Sequence, residues 1–272
     1  MTKLTSFFNH TKSVALLALT LSALFATSAI TAKPIDVQLT ASAKNTKHIK
    51  LSYQAPVRLQ QVLADSITNL SKLPLNQSQA EQISTNAKIY WQGAALLVAK
   101  TNSAQKTVLD KLDAISNHWQ AQERQAVLNL QTFLKKEQIG QRVFNSLDYD
   151  QVRIDLTQNP LISQDITVIL PPRPNSVWIV GAVDKPQELS WRERWGADKY
   201  LAQSSPINNA DNSYAWVIQP DGKVEQHPVA YWNRKHSDIA PGAIIYLGFT
   251  SLPDELETLN EELINLLRNR TL

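Results

Sequence analysis

Cysteine is absent from this 272-residue chain, glycine occupies only seven positions, and no proline falls between Pro74 and Pro160. Each scarcity excludes something. Without cysteine there is no thiol nucleophile, no disulfide and no thiolate metal site, so the fold must be held by packing alone. No two glycines form a G-x-G pair and none precedes Lys-Ser or Lys-Thr, which removes the backbone cradles that nucleotide phosphates require. The formal charge is only +3, with Lys3 and Lys12 contributing to it from the first residues. So even a balance gives no electrostatic footprint for nucleic acid. The longest apolar run, Val14 to Ala26, is shorter than the ~20 residues that a membrane-spanning helix needs.

That run sits behind two lysines and ends in small residues, with cleavage expected after Ala32. This is the pattern of a secretory signal. Residues 1–32 are therefore read as a leader, and the exported part as free of any membrane span. A chain of this length can bury roughly 70–75% of its unfolded surface without staples.

From Lys33 the pattern is β-rich. "IDVQL" and "HIKLSY" flank a polar loop and predict a hairpin. "PVRLQQVLADSITNL" then places Val57, Leu59, Val62, Leu63, Ile67 and Leu70 on one helical face. A hairpin followed by a packed helix is half of a β-grasp. "AKIYWQGA" reads as the next strand. The breaker-free region 95–140 carries two apolar stripes, Val108/Leu112/Ile115/Trp119 and Val127/Leu130/Leu134, which predict a helical hairpin with Gly140 as its C-terminal cap. Two placements are open: an arm that protrudes toward a partner, or an insertion covering its own domain. Amphipathic stripes usually pack at home, which favours the second.

"DQVRIDL" and "DITVILP" read as strands, and "PPRP" at 171–174 as a stiff connector that ends the first unit. Next come the strand "SVWIVGAVD", a short helix in "SWRERWGADKYLAQ", a hairpin around Asp221-Gly222 in "YAWVIQPDGKVEQHP", and "IAPGAIIYLGF". The expected organisation is a first domain over 33–172, a second over 173–250 that repeats its plan without the insertion, and a C-terminal amphipathic helix over 251–272. Ser251 with Asp254 predicts a capping box for that helix, whose leucine seam is expected to pack on its own domain.

No residue announces a reaction. Alternation puts Lys223, Glu225 and His227 on one strand face, so His227 reads as a solvated histidine; His236 and Asp238 lack a zinc spacing. No G-x-S-x-G occurs, and Asp148 and Asp150 lie beside Arg142 and Arg153, which would lower their pKa and spoil a general acid. No catalytic residue, cofactor or metal site is assigned. Trp191 and Trp195, four apart, and Trp232 after Tyr231 could stack on sugar rings or pack between domains; the packing role is preferred.

The stretch "SYAWVIQPDGKVEQHPVAYWNRKHSDIAPGAIIYLGF", with "YWQGA", "GQRVFNSLDYDQVR", "NPLI", "LPPRP" and "VGAVDKPQ" upstream, resembles the GfcC family of capsule-biosynthesis proteins. The resemblance implies an α+β fold of two tandem β-grasp (SLBB-like) domains, similar to the soluble units of outer-membrane polysaccharide exporters. It also implies a periplasmic, non-enzymatic accessory protein that binds polysaccharide or the export machinery. A polysaccharide-modifying enzyme is the alternative. The family's groove arginine matches Arg142, with Tyr231 and Trp232 as further candidates for the groove; the chain departs from the family in carrying Tyr149 in "LDYD" and Gln141 before the arginine. A guanidinium forks two hydrogen bonds to a carboxylate, so Arg142 is expected to read a uronic acid or an acidic side chain. Arg142→Ala is then expected to leave the fold intact, the competing role being an ion pair with Asp148 or Asp150. Oligomeric state is left open.

Overall fold

Period-two burial builds the first sheet. In the computed structural model Ile35, Val37 and Leu39 of β1 (Ile35–Thr40) turn to one face and join a core, while Asp36, Gln38 and Thr40 take the other. The structure describes residues 33–44, 48–73, 89–233 and 235–272, all within one compact unit, Lys33–Leu272. The expected leader over residues 1–32 lies outside the described residues, as do the start of "AKIYWQGA" and part of the loop before "HIKLSY".

In chain order the first half contains β1, β2 (Ile49–Tyr53), β3 (Val57–Arg58), α1 (Leu59–Asn69), β4 (Ala95–Ala99), α2 (Ala104–His118), α3 (Ala121–Lys136), β5 (Gln141–Val143), α4 (Tyr149–Ile154), β6 (Leu161–Ile162) and β7 (Ile166–Ile169). The second half contains β8 (Ser176–Gly181), β9 (Gln187–Ser190), α5 (Ala197–Leu201), β10 (Tyr214–Ile218), β11 (Val224–Pro228), β12 (Ile244–Leu247) and α6 (Leu259–Leu267). The class is α+β.

Each half forms a five-stranded mixed sheet, in the orders β2-β1-β7-β4-β5 and β9-β8-β12-β10-β11. The two are wired alike. In each, the first strand pairs antiparallel with the second and parallel with the last, and the last pairs antiparallel with the next strand inward. A small β3/β6 pair is extra in the first half.

The helical hairpin exists, but it starts later than read and lies elsewhere. Ala95–Ala99 is strand β4, preceded by a 3-10 turn at Trp91–Gly93, because five small or apolar residues there feed the sheet centre. Val108, Leu112, Ile115, Val127, Leu130 and Leu134 share one core with β8, β10, β12 and α6, and the Phe133 ring meets Trp178 of β8 at 5.0 Å. The insertion thus covers the sheet of the other half, not its own. The leucine seam of α6 is buried at home, through Leu259, Leu263, Leu266 and Leu267.

Other expectations give way. "DQVRIDL" is helix α4, because the Asp148 carboxylate accepts from the amides of Asp150 and Gln151 and caps it, leaving Val152 as the inward residue. Gly140 caps nothing: α3 ends at Lys136, and a Cβ at Gly140 would stand 2.8 Å from the Ala99 carbonyl, so glycine serves close strand approach. The Ser251/Asp254 capping box does not form, since a 3-10 turn at Asp254–Leu256 intervenes and α6 begins at Leu259. Only Ala197–Leu201 of the predicted short helix is helical, so Trp191 and Trp195 precede it. Trp195 packs edge-on to Tyr200 at 5.2 Å, and both indoles pack against the core of the second half, with Trp191 also lining a hollow shared with Tyr90 and Gln92 of the first.

No helix among the described residues is long and apolar enough to cross a membrane.

Candidate binding groove

Strand β5 follows the helical insertion, and its alternation sends Arg142 and Phe144 to the same side. Directly opposite lies the tight β10–β11 turn of the second half, where Gly222 adopts φ +85. The two halves meet here. The Arg142 guanidinium is buried and donates to the Pro220 carbonyl at 2.7 Å and to the Ala94 carbonyl at 2.9 Å, one in each half. Burial pulls its pKa down to about 10, with Asp221 opposing and Arg268 adding to the fall, so it stays cationic at neutral pH. These bonds do not involve Asp148, which caps α4, or Asp150, which pairs with Arg153 at 3.7 Å.

Around this tie opens a hollow of about 550 Å³, walled by Trp91, Phe144, Arg142, Arg268, Lys223 and Asp221 among others. Phe144 is 45% exposed although aromatic, and two guanidiniums flank its ring: Arg268 at 4.5 Å from the centroid and Arg142 at 5.7 Å. Arg268 is oriented by its Nε, which donates to the Gly222 carbonyl at 2.9 Å. Cations over an aromatic face make a surface that suits a carboxylate on a ring-shaped ligand.

Gln92, Asp221 and Lys223 also line a second hollow, of about 1000 Å³, so the two adjoin. Its floor is the β11 strip. Contrary to the solvated expectation, His227 is 3% exposed, because α5 and the loop from Ser237 to Pro241 close over that face of the sheet. His227 Nε2 lies 3.4 Å from Glu225 Oε2, which also accepts from Gln219 at 2.9 Å, while Lys223 holds the other oxygen at 2.7 Å. The Lys223 bond first, and then Gln219, hold the Glu225 carboxyl down to about 2. Burial lowers His227, with Glu225 opposing, so it is neutral at pH 7. The covering loop is pinned by Gln219, which meets the Asp238 carbonyl and the Ala240 amide, by Trp191 Nε1 donating to Ile239 O at 2.7 Å, and by Tyr90 Oη donating to Pro241 O at 3.0 Å.

Of the three residues expected in the groove, Arg142 lines it. Tyr231 and Trp232 line neither hollow; they stand 90% and 75% exposed in the loop after β11. Phe144, Arg268, Lys223 and Gln219 were missed. Phe144 was within reach, since it sits two residues after Arg142, just past the end of β5; Arg268 carries no local signal that points to a groove.

Comparison with known proteins places both halves. The family described as "Capsule biosynthesis GfcC, N-terminal" matches residues 68–173, and "Capsule biosynthesis GfcC C-terminal" matches residues 185–271. The chain is also 30% identical over 193 residues, 68% of its length and 78% of the other's, to "Uncharacterized protein YjbG" of Escherichia coli (strain K12).

Proposed function

Since the chain belongs to the GfcC family of capsule-biosynthesis proteins, we propose that it works in the periplasm as a non-enzymatic accessory of capsule or exopolysaccharide export. In this reading each half is a β-grasp domain of the SLBB-like kind, and the hollow between them holds a uronic acid residue of the polysaccharide. Support for the β-grasp comes from the shared strand order with its central parallel pair. The observation that carries the ligand is the Phe144 ring with Arg142 and Arg268 on it, beside Lys223. A carboxylate there meets cations, and the sugar ring meets an aromatic face.

The enzyme reading has less to stand on. Glycoside hydrolysis asks for a carboxyl kept protonated by an apolar setting, whereas Glu225 is held down to about 2 and Asp148 is occupied as a helix cap.

Calorimetric titration tests the reading. Glucuronate is expected to bind saturably where glucose does not, and Arg268→Ala to weaken it at least about tenfold at little change in melting temperature. Equal, unsaturable heats for both sugars would remove the ligand assignment. Steady release of reducing ends from a polysaccharide would establish the enzyme instead.

A further inference from the structure

Of the cations that line the two adjoining hollows, most are already engaged. Arg142 donates to two carbonyls, Lys223 holds Glu225 at 2.7 Å, and Arg194 lies 3.9 Å from Glu193. That leaves Arg268, which uses only its Nε, and Arg173. Among the described residues Arg173 makes no hydrogen bond and no ion pair. Its guanidinium lies over the Trp191 ring, 4.8 Å from the centroid, as Arg268 lies over Phe144 at 4.5 Å. Both members of this pair are held in place by the chain. Arg173 stands between Pro172 and Pro174, and a following proline confines its backbone to extended geometry. Trp191 donates its amide to the Asn175 carbonyl and its Nε1 to the Ile239 carbonyl, each at 2.7 Å. A guanidinium resting on a ring keeps N–H groups with which to fork to a carboxylate. None of the acids on the same hollow takes them, since each has another donor or cation beside it. Glu225 has Lys223, Glu193 faces Arg194, Asp238 lies 3.0 Å from His236 Nε2, and Asp221 accepts the Lys223 amide at 2.9 Å.

We propose that Arg173 on Trp191 is a second acid subsite, so that the protein reads a polymer carrying uronic acids at more than one position. One carboxylate sits at Arg268 and Phe144, and another at Arg173 and Trp191. The two subsites are continuous through Gln92, Asp221 and Lys223, which line both hollows. Two modest contacts made by one chain reinforce each other, because once the first acid is seated the second meets its guanidinium at high effective concentration. A free uronate gains nothing from that linkage. Selection therefore falls on the density of acids along the polymer. This inference rests on the uronic acid reading above and extends it from one residue to a succession of them.

The experiment titrates the chain from Lys33 to Leu272, one compact unit, with free glucuronate and with tetrasaccharides that share a backbone. These are cellotetraose, the same tetrasaccharide carrying a single glucuronate, and tetraglucuronate. Tetraglucuronate is expected to bind at least about tenfold tighter than the single-acid tetrasaccharide. Arg173→Ala is expected to bring that ratio to about one, and Arg173→Lys to restore part of it, since an ammonium supplies charge but cannot fork. Arg173 makes no hydrogen bond or ion pair within the described residues, so neither substitution should lower the melting temperature appreciably. Lys106→Ala removes an equal charge from the exposed face of α2 and should leave the ratio as it is. A ratio near one in the parent, or a ratio that Arg173→Ala lowers no more than Lys106→Ala does, removes the second subsite and leaves the first standing. If glucuronate and every tetrasaccharide fail to bind saturably, both fall.

Discussion

Between β4 and β5 the chain runs through two helices, while between β10 and β11, the matching strands of the second sheet, it turns within Gln219–Lys223. Everything else in the wiring of the sheets agrees. Lengthening a connection costs little closure entropy, so the same plan can carry either loop, and the consequences lie in where each loop goes. The long one crosses to the second sheet and seals it, giving that sheet apolar cover from α2, α3 and α6 on one side and α5 on the other. The first sheet keeps α1 on one side and only a small Ala95/Leu97/Ile169 cluster on the other. The short turn stays at the junction, where it meets Arg142 just after the long insertion ends. One unequal pair of loops thus both joins the halves and shapes the groove.

The hardest blow to this asymmetry is Leu130→Ala. Leu130 is fully buried between the insertion and the second sheet, so the truncation is expected to cost about 2–5 kcal/mol in chemical denaturation. Hydrogen exchange should show amides of β8 and β12 losing more protection than those of β1 and β7. The reverse order would mean that the insertion serves its own half after all.

Arg142→Ala comes next. It strands two buried carbonyls, one in each half, and removes charge-assisted bonds, for an expected cost of about 2–4 kcal/mol. The geometry runs against the simple expectation that this variant folds unchanged, which is why Arg268, not Arg142, is the cleaner probe of binding. Arg142→Lys should recover part of the stability, since an ammonium reaches one carbonyl but cannot fork to two. Equal melting temperatures for all three proteins would show that the halves are joined elsewhere.

How far the sequence foretells this follows from the range of each signal. Local periodicity gave the β1–β2 and β10–β11 hairpins, α1 and the two helical stripes, because alternation and 3.6-residue spacing are properties of short windows. It failed at Asp148-Tyr149-Asp150, where a side-chain cap outweighed a strand-like pattern in "QVRIDL". The stripe on Leu112 and Leu130 says that an apolar surface lies opposite, not which sheet supplies it. His227 shares a face with two charges, which argues for solvent; its burial comes from α5 and a loop distant in sequence. Arg142 was legible through family motifs, but its two carbonyl partners, 48 and 78 residues away, were not.

A smaller effect is acid sensitivity at the end of the insertion. Glu137 follows α3 and is clasped by Arg270 at 2.7 Å and Lys44 at 2.9 Å, next to the Ile139–Arg270 bridge. Burial alone would raise its carboxyl, but Arg270 and then Lys44 outweigh burial and hold it below its ordinary 4.5. A depressed carboxyl contributes fully above its unfolded value and loses that contribution as pH falls through the folded one. Stability is therefore expected to drop below about pH 4.5, and Glu137→Gln to start lower but decline less over that window. Parallel pH curves for the two proteins would remove Glu137 from the clasp.

Gly222→Ala, the mildest change, separates the two jobs of the short turn. The left-handed backbone at Gly222 disfavours alanine by roughly 1–2 kcal/mol, and the added methyl would fall on the Phe144 ring. Asparagine tolerates that backbone better than alanine but brings the same Cβ. If turn strain alone matters, Gly222→Asn should be the more stable of the two and bind glucuronate as the parent does. The groove as drawn requires a different outcome: Asn recovers stability, yet both variants lose affinity, because displacing Phe144 takes away the face on which Arg142 and Arg268 are arrayed. Affinity that follows stability, variant by variant, would make the ring a bystander to binding.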